Sequence, residues 1–335
     1  NEVLFETIPN FSKAQESIIA GINVPRLENI QTGLVLSGHM DTVAVNPKDW
    51  QCDPFQGCII NGEMYGRGAV DMKYFLAVVL SILPELKALK MPVFLLFSCD
   101  EETDVTGIQT LVDFLKERNI HPRYALIGEP SHFDLCTSNR GYAGYTTIVK
   151  GVSAHSSCPA LGVNAAYIAA RIVSYIEKLS KEYATKQTTM NVGVLSGGQG
   201  RNLIPSEIAI DWEIRYDKAA VKDEILNAVK QFNVQLENEY KNSQILLKTQ
   251  EVLPPFEKKE NSSIVNIAKD ILNTNEFAMP FATEAGFLQS YGIETLICGA
   301  GNENLAHCAN EKISIDDLQK YSAFLIEFAT RIQHA

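Results

Sequence analysis

Short, wholly apolar runs alternate with longer stretches of helical period through residues 33 to 129, and no other feature of the chain narrows its fold so far. GLVLSGH (33–39), MPVFLLFS (91–98) and YALIGE (124–129) read as buried strands. MKYFLAVVLSILPELKALK (72–90), with Pro84 as a break or kink, and GIQTLVDFLKERN (107–119) read as helices. Strands this uniformly apolar need cover on both faces. The pattern therefore predicts an α/β fold, a mostly parallel sheet flanked by helices.

From about residue 140 the order changes to strand, helix, two strands, helix, strand: YAGYTTIVKG, GVNAAYIAARIVSYIEKLSKEY, TTMNVGVLSGG, EIAIDWEIRY, AAVKDEILNAVKQF and QILLKTQEV. That string is the ferredoxin-like pattern of a small α+β domain. After LPPFEKK the first pattern resumes, with a helix from Ser262, a strand at ETLICGAG and a last helix from Ser314 to Gln333. A catalytic domain over 1–139 and 253–335, interrupted by an inserted domain over 140–252, is the simplest organisation, with hinges near Asn139 and Leu253. At 335 residues the chain also exceeds what one core usually serves.

A net charge of −11 argues against nucleic acid, which needs clustered Lys and Arg. The longest apolar runs fall short of the about 18 residues a membrane span requires. With no charged-then-apolar leader, the chain reads as soluble and cytoplasmic. Its seven cysteines are odd in number and contain no C-x-x-C pair, which suits free thiols in a reducing compartment.

In open α/β sheets, ligands sit beyond the carboxyl ends of the strands. Those ends offer His39 in SGHMDTV, the adjacent acids Asp100, Glu101 and Glu102, Glu129 in IGEPS, and His307 in ENLAH. Asp71 in GRGAVDMK precedes a long helix on the same edge. Singly, each has a plain structural use: a hydrogen-bonded loop histidine, a helix cap, an exposed acid. Together they form a set of nitrogen and oxygen donors without cysteine, which suits zinc, cobalt or manganese. Two cations sharing a carboxylate would also make three adjacent acids tolerable at the mouth of a core.

HMDTV, GRGAVDMK, SCDEET, IGEPS, SAHSS, GGQGRNLIP and the late AH resemble, in order and spacing, the dinuclear zinc metallopeptidase family that includes acetylornithine deacetylases, succinyl-diaminopimelate desuccinylases, aminoacylases and glutamate carboxypeptidases. The resemblance runs from about residue 33 onward and leaves residues 1–32, where the family has a first helix and strand, unmatched. It implies two Zn2+ ions, with Co2+ or Mn2+ as substitutes, bridged by Asp71 and a water or hydroxide. His39 and Glu129 would complete one site, and Glu102 and His307 the other. Glu101 would be the general base and Asp41 the acid that orients the His39 imidazole. A cis peptide is expected at Asp71–Met72, and Asp100 receives no role.

The resemblance also implies that His155 in SAHSS reaches the partner subunit's site to stabilise an oxyanion, in a homodimer built through the inserted domain. Asn202 and Arg215 resemble substrate-contacting positions, the guanidinium gripping a carboxylate. VLPPF, ATEAGFLQ and GAGNENLAHCANE favour the acetylornithine deacetylase branch, with Glu284 meeting a cationic side chain. The expected substrate is thus a small N-acyl amino acid, N-alpha-acetyl-L-ornithine first, then acetylcitrulline or succinyl-diaminopimelate. Tyr74 stands where the family usually has glycine and is expected to reshape the pocket floor; Ala44 and Tyr216 replace the usual prolines. A non-catalytic, metal-free binding relative should lack a ligand, and none of the six residues is missing. A serine or cysteine hydrolase finds no G-x-S-x-G elbow.

Overall fold

The apolar runs pair side by side. In the computed structural model, which describes residues 3–184, 187–279 and 281–335, Leu34–His39 lies between Val93–Ser98 and Tyr124–Ile127, all parallel, and Glu294–Ile297 extends the parallel set beyond Tyr124–Ile127. Every residue of the first three strands is buried, as strands covered on both faces must be.

The sheet's edges are antiparallel or mixed, which periodicity did not reveal. Residues 1–32 gave no element in the sequence, yet Leu4–Pro9 and Glu16–Ile22 form an antiparallel hairpin that docks on Val93–Ser98. Only the second of its strands carries a strong apolar signal, with Ile19 and Ile22 fully buried. At the other edge Leu135–Asn139 pairs with Glu294–Ile297, Phe256–Glu257 and Glu276–Met279.

The 72–90 segment is two helices, Lys73–Ser81 and Leu83–Ala88. Pro84 sits in the first turn of the second, where its missing N–H leaves no bond unmade, so it starts a helix rather than kinking one. The later helices begin where serine caps allow: Ser262 Oγ accepts from Val265 N and Ser314 Oγ from Asp317 N. Helices Lys73–Ser81, Ser263–Leu272 and Ile315–Ile332 share one apolar cluster with the sheet, including Phe75, Val79, Ile264, Phe324 and Phe328.

The described chain divides into two compact units, one of Asn1–Asn139, Phe256–Met279 and Thr283–Ala335, the other built on Arg140–Pro255. In the second, strands run in the order Thr189–Gly197, Glu207–Tyr216, Gly141–Lys150, Gln244–Leu253, every pair antiparallel. Helices Ala165–Tyr183 and Ala219–Glu239 bury Ile168, Ile172, Ile225 and Val229 in a cluster with Tyr145 and Trp212 from the sheet. No helix among the described residues is long and apolar enough to cross a membrane. All seven cysteines are free.

Candidate metal centre

The parallel strands all end at one edge, and the donor side chains collect there. His39 is the last residue of its strand, Asp100 to Glu102 follow Val93–Ser98, and Glu129 follows Tyr124–Ile127. Asp71 precedes helix Lys73–Ser81 across a cis Asp71–Met72 peptide. Two glycines let that helix approach the strand ends: a Cβ on Gly128 would lie 2.0 Å from Phe75 Cδ2, and one on Gly299 2.0 Å from Tyr74 Oη. Tyr74 itself is almost wholly buried. Its hydroxyl donates to Gly128 O at 2.7 Å and accepts from Ala300 N at 2.9 Å, clasping the ends of two strands.

Two triads of donor atoms result, His39–Asp71–Glu129 and Asp71–Glu102–His307, each with its atoms within 4.8 Å of one another. They share Asp71, whose Oδ1 lies 2.9 Å from His39 Nε2 and whose Oδ2 lies 3.2 Å from His307 Nε2. His307 Nε2 also meets the Glu102 carboxylate at 3.0 Å. His307 has φ of 60°, the left-handed region that costs a non-glycine residue about 1 kcal/mol.

Asp41 holds this edge in two ways. Its backbone carbonyl accepts from His39 Nδ1 at 3.0 Å, which leaves Nε2 directed at Asp71, while its carboxylate stands 3.5 Å from the ring. That carboxylate also takes the amides of Glu101 at 3.1 Å and Glu102 at 3.0 Å. Neighbouring side chains diverge along extended backbone, so pinning both amides separates the two glutamates.

Asp100, without a role in the sequence, is buried and accepts from Gly107 N at 2.6 Å, Thr106 Oγ1 at 2.5 Å and Asn10 Nδ2 at 3.1 Å. It caps helix Thr106–Glu117 and ties it to the N-terminal hairpin. Sequence reasoning also missed Glu311, whose carboxylate accepts from Asp71 N. The local signal, an acid four residues beyond His307, says nothing about a partner so distant in the chain.

The electrostatics are those of crowded acids. Burial pushes Glu101 up to about 8, with Glu284, Asp71 and Glu102 adding to the rise and His39 opposing it. Burial likewise raises Glu129 well above the carboxylate range, and Asp71 and Glu101 add to it. Asp71 moves the other way: burial disfavours its charge, but hydrogen bonds to His307 and His39 outweigh it. His307 rises to about 9, chiefly through its bond to Asp71. For His39, burial disfavours the cation, yet Asp41, Asp71, Glu129 and Glu101 together raise it well above 6.5. The cluster thus has more acids than the two imidazoles balance, and its donors are nitrogen and oxygen throughout. That chemistry fits a pair of borderline divalent cations.

Glu284 is not at the surface. It is buried beside this cluster, its Oε1 sealed from solvent, and burial pushes it up to about 7. In the second unit, His155 is exposed and pairs through Nδ1 with Ser157 Oγ at 2.8 Å. The loop that carries it bridges to the Asn202 loop through His155 with Leu203 and through Ser156 N to Asn202 O at 3.0 Å. Arg215 lies 4.4 Å over the Tyr142 ring, and its Nε donates to Glu213 Oε1 at 3.3 Å.

Residues 35–331 match the family model described as peptidase family M20/M25/M40. The acetylornithine deacetylase of Buchnera aphidicola subsp. Acyrthosiphon pisum (strain Tuc7) is 32% identical over 290 residues, 83% of this chain and 75% of that protein. That of Vibrio campbellii is 29% identical over 304 residues, 88% of this chain and 79% of its own. Among solved structures, a tripeptidase from Staphylococcus aureus superposes with a TM-score of 0.75 at 20% identity, covering 99% of this chain and 89% of that one. A Bacillus subtilis protein described as a dinuclear metal binding peptidase from the M20 family gives 0.67 at 14% identity, covering 98% and 88%.

Proposed function

The chain belongs to the M20/M25/M40 peptidase family and is a metal-dependent hydrolase, and from that premise we propose that it removes the acetyl group from N-alpha-acetyl-L-ornithine, releasing L-ornithine and acetate. The observation that carries the hydrolytic part is the pair of triads sharing Asp71, with Glu101 beside them and in neither. The substrate is supported by the relatives named acetylornithine deacetylase.

His39, Asp71 and Glu129 would hold one ion, and Asp71, Glu102 and His307 the other, with zinc as the native metal and cobalt or manganese as substitutes. Bound there, the ions would lower the pKa of a water and polarise the acyl carbonyl. Glu101, beside the triads and in neither, would take the proton of the attacking water and return it to the departing amine. Asp41 keeps Glu101 and Glu102 apart and fixes the His39 ring. Glu284, almost wholly buried and with its Oε1 sealed from solvent, would favour a cationic substrate through its field.

His155, Asn202 and Arg215 are assigned to oxyanion and substrate contacts, His155 in the partner's site. The unit Arg140–Pro255 would mediate a homodimer, a reading supported by exposed Leu161, Tyr167, Val194 and Leu195 on that unit. Seven free thiols suit a cytoplasmic setting. Light scattering on the purified protein tests the dimer, and a mass of one chain refutes it.

The substrate is tested by loading purified protein with zinc or cobalt and measuring amine release from acetylornithine, acetylcitrulline and succinyl-diaminopimelate. Acetylornithine should be cleaved with the highest kcat/KM. Intact acetylornithine beside cleaved succinyl-diaminopimelate would sink the assignment.

A further inference from the structure

Glu311 is fully buried, and both of its carboxylate oxygens are occupied. Oε1 accepts from Val70 N at 2.6 Å and Asp71 N at 3.0 Å; Oε2 accepts from Arg67 Nη1 at 2.6 Å and Gly68 N at 3.2 Å. The Glu311 carbonyl takes Gly66 N at 3.0 Å. One residue therefore gathers the turn from Gly66 to Asp71 along its length.

The arrangement exceeds what packing needs. A buried ion pair is often no more stabilising than apolar residues of the same volume, so the Arg67–Glu311 pair alone gives little reason for an acid here. Ordering three successive-turn amides is something an apolar side chain cannot do. The last of those amides belongs to Asp71, whose two oxygens must face opposite ways, Oδ1 to His39 and Oδ2 to His307. That division requires a fixed backbone at residue 71. Glu311 also follows His307 by four residues, so it ties the loop bearing one donor to the turn bearing another.

We propose that Glu311 is a positioning residue for the metal centre: through the Asp71 amide it sets how Asp71 divides its oxygens between the two triads, and it holds the His307 loop in register with them. This rests on reading the triads as metal sites. Arg67 separates positioning from simple stabilisation, since its buried guanidinium pairs with Glu311 and lies 5.4 Å from the Trp50 ring centroid, and its one hydrogen bond to the acid leaves the other three in place.

The test uses the full chain as wild type, Glu311→Gln, Glu311→Asp and Arg67→Met. Zinc stoichiometry, zinc affinity by chelator competition, the visible spectrum of the cobalt form and thermal unfolding of the metal-free protein are measured for each. An amide at 311 turns a donor toward amides that need an acceptor. Glu311→Gln should therefore weaken zinc binding about 10- to 100-fold, the scale for residues that orient ligands, and shift the cobalt bands. Glu311→Asp should recover part of that loss. Arg67→Met should unfold at a lower temperature yet keep wild-type zinc affinity and spectrum. If Glu311→Gln does not fold, Arg67→Met/Glu311→Gln, which removes the stranded guanidinium, takes its place with the same expectation. Wild-type zinc affinity and an unchanged cobalt spectrum in the glutamine variant would overturn the proposal, leaving Glu311 a purely structural acid. A wild-type protein that takes up no metal would fail the ligand reading itself, a result visible in a separate arm.

Discussion

Replacing Asp100 with asparagine tests whether the first acid of SCDEET is a fastener rather than part of the chemistry. Oδ2 receives Thr106 Oγ1 and Asn10 Nδ2, whereas Oδ1 receives only Gly107 N. The asparagine amide would therefore turn its NH2 toward Gly107, sacrificing one bond rather than two. Losing one bond to a charged acceptor costs about 1.5–3 kcal/mol, and a buried N–H left facing another donor about 1–3 kcal/mol. Because these overlap, about 2–4 kcal/mol is expected in total. The chain's two tryptophans give a clean assay, since Trp50 lies in the unit holding Asp100 and Trp212 in the other. Urea unfolding followed at Trp50 in a Trp212→Phe background should show the loss. Zinc content and kcat of the folded variant should stay within about twofold of wild type, as expected where no reacting group is touched. Unchanged urea stability, or a collapse of kcat with full stability, would refute the reasoning.

Glu101→Ala should retain both metals while kcat falls at least about 100-fold, the scale for a general base, whereas Glu102→Ala should lose metal first; elemental analysis beside kinetics distinguishes them, and reversed phenotypes would mean exchanged roles. Tyr74→Phe removes the hydroxyl that joins Gly128 O to Ala300 N, so the same Trp50 assay should show a loss of about 1–3 kcal/mol, and no change would show those groups satisfied elsewhere. The metal-free protein should melt lower at pH 9 than at pH 6. The stabilisation from His307, raised to about 9 in the fold, is complete below its unfolded value of about 6.5 and is lost as pH climbs through 9. Glu101, raised to about 8, likewise disfavours the folded state increasingly between its unfolded value of about 4.3 and 8. A melting temperature of the chelated protein that is flat or rises over that range would contradict both shifts.

What the sequence determined by itself was local in kind. Uniformly apolar runs made covered parallel strands, serines before amphipathic stretches started helices, and polar donors interrupting strand ends marked His39, Asp71, Glu102, Glu129 and His307 as one edge. These are legible because period and residue type act over a few positions, and because a parallel sheet brings its strand ends to one side. Only the tertiary structure shows what gives Asp100 its partners and holds the two glutamates apart. Asp100, Glu101 and Glu102 are adjacent in the chain, yet one caps a helix, one stands apart as the proposed base and one joins a triad, because Asn10 and Asp41 reach them from elsewhere. The burial of Glu284 is not written in its neighbours, and Glu311 finds its partners some 240 positions away. The hydrogen bonds and burial of a carboxylate depend on what the fold brings beside it, and no period in the chain encodes contacts at that separation.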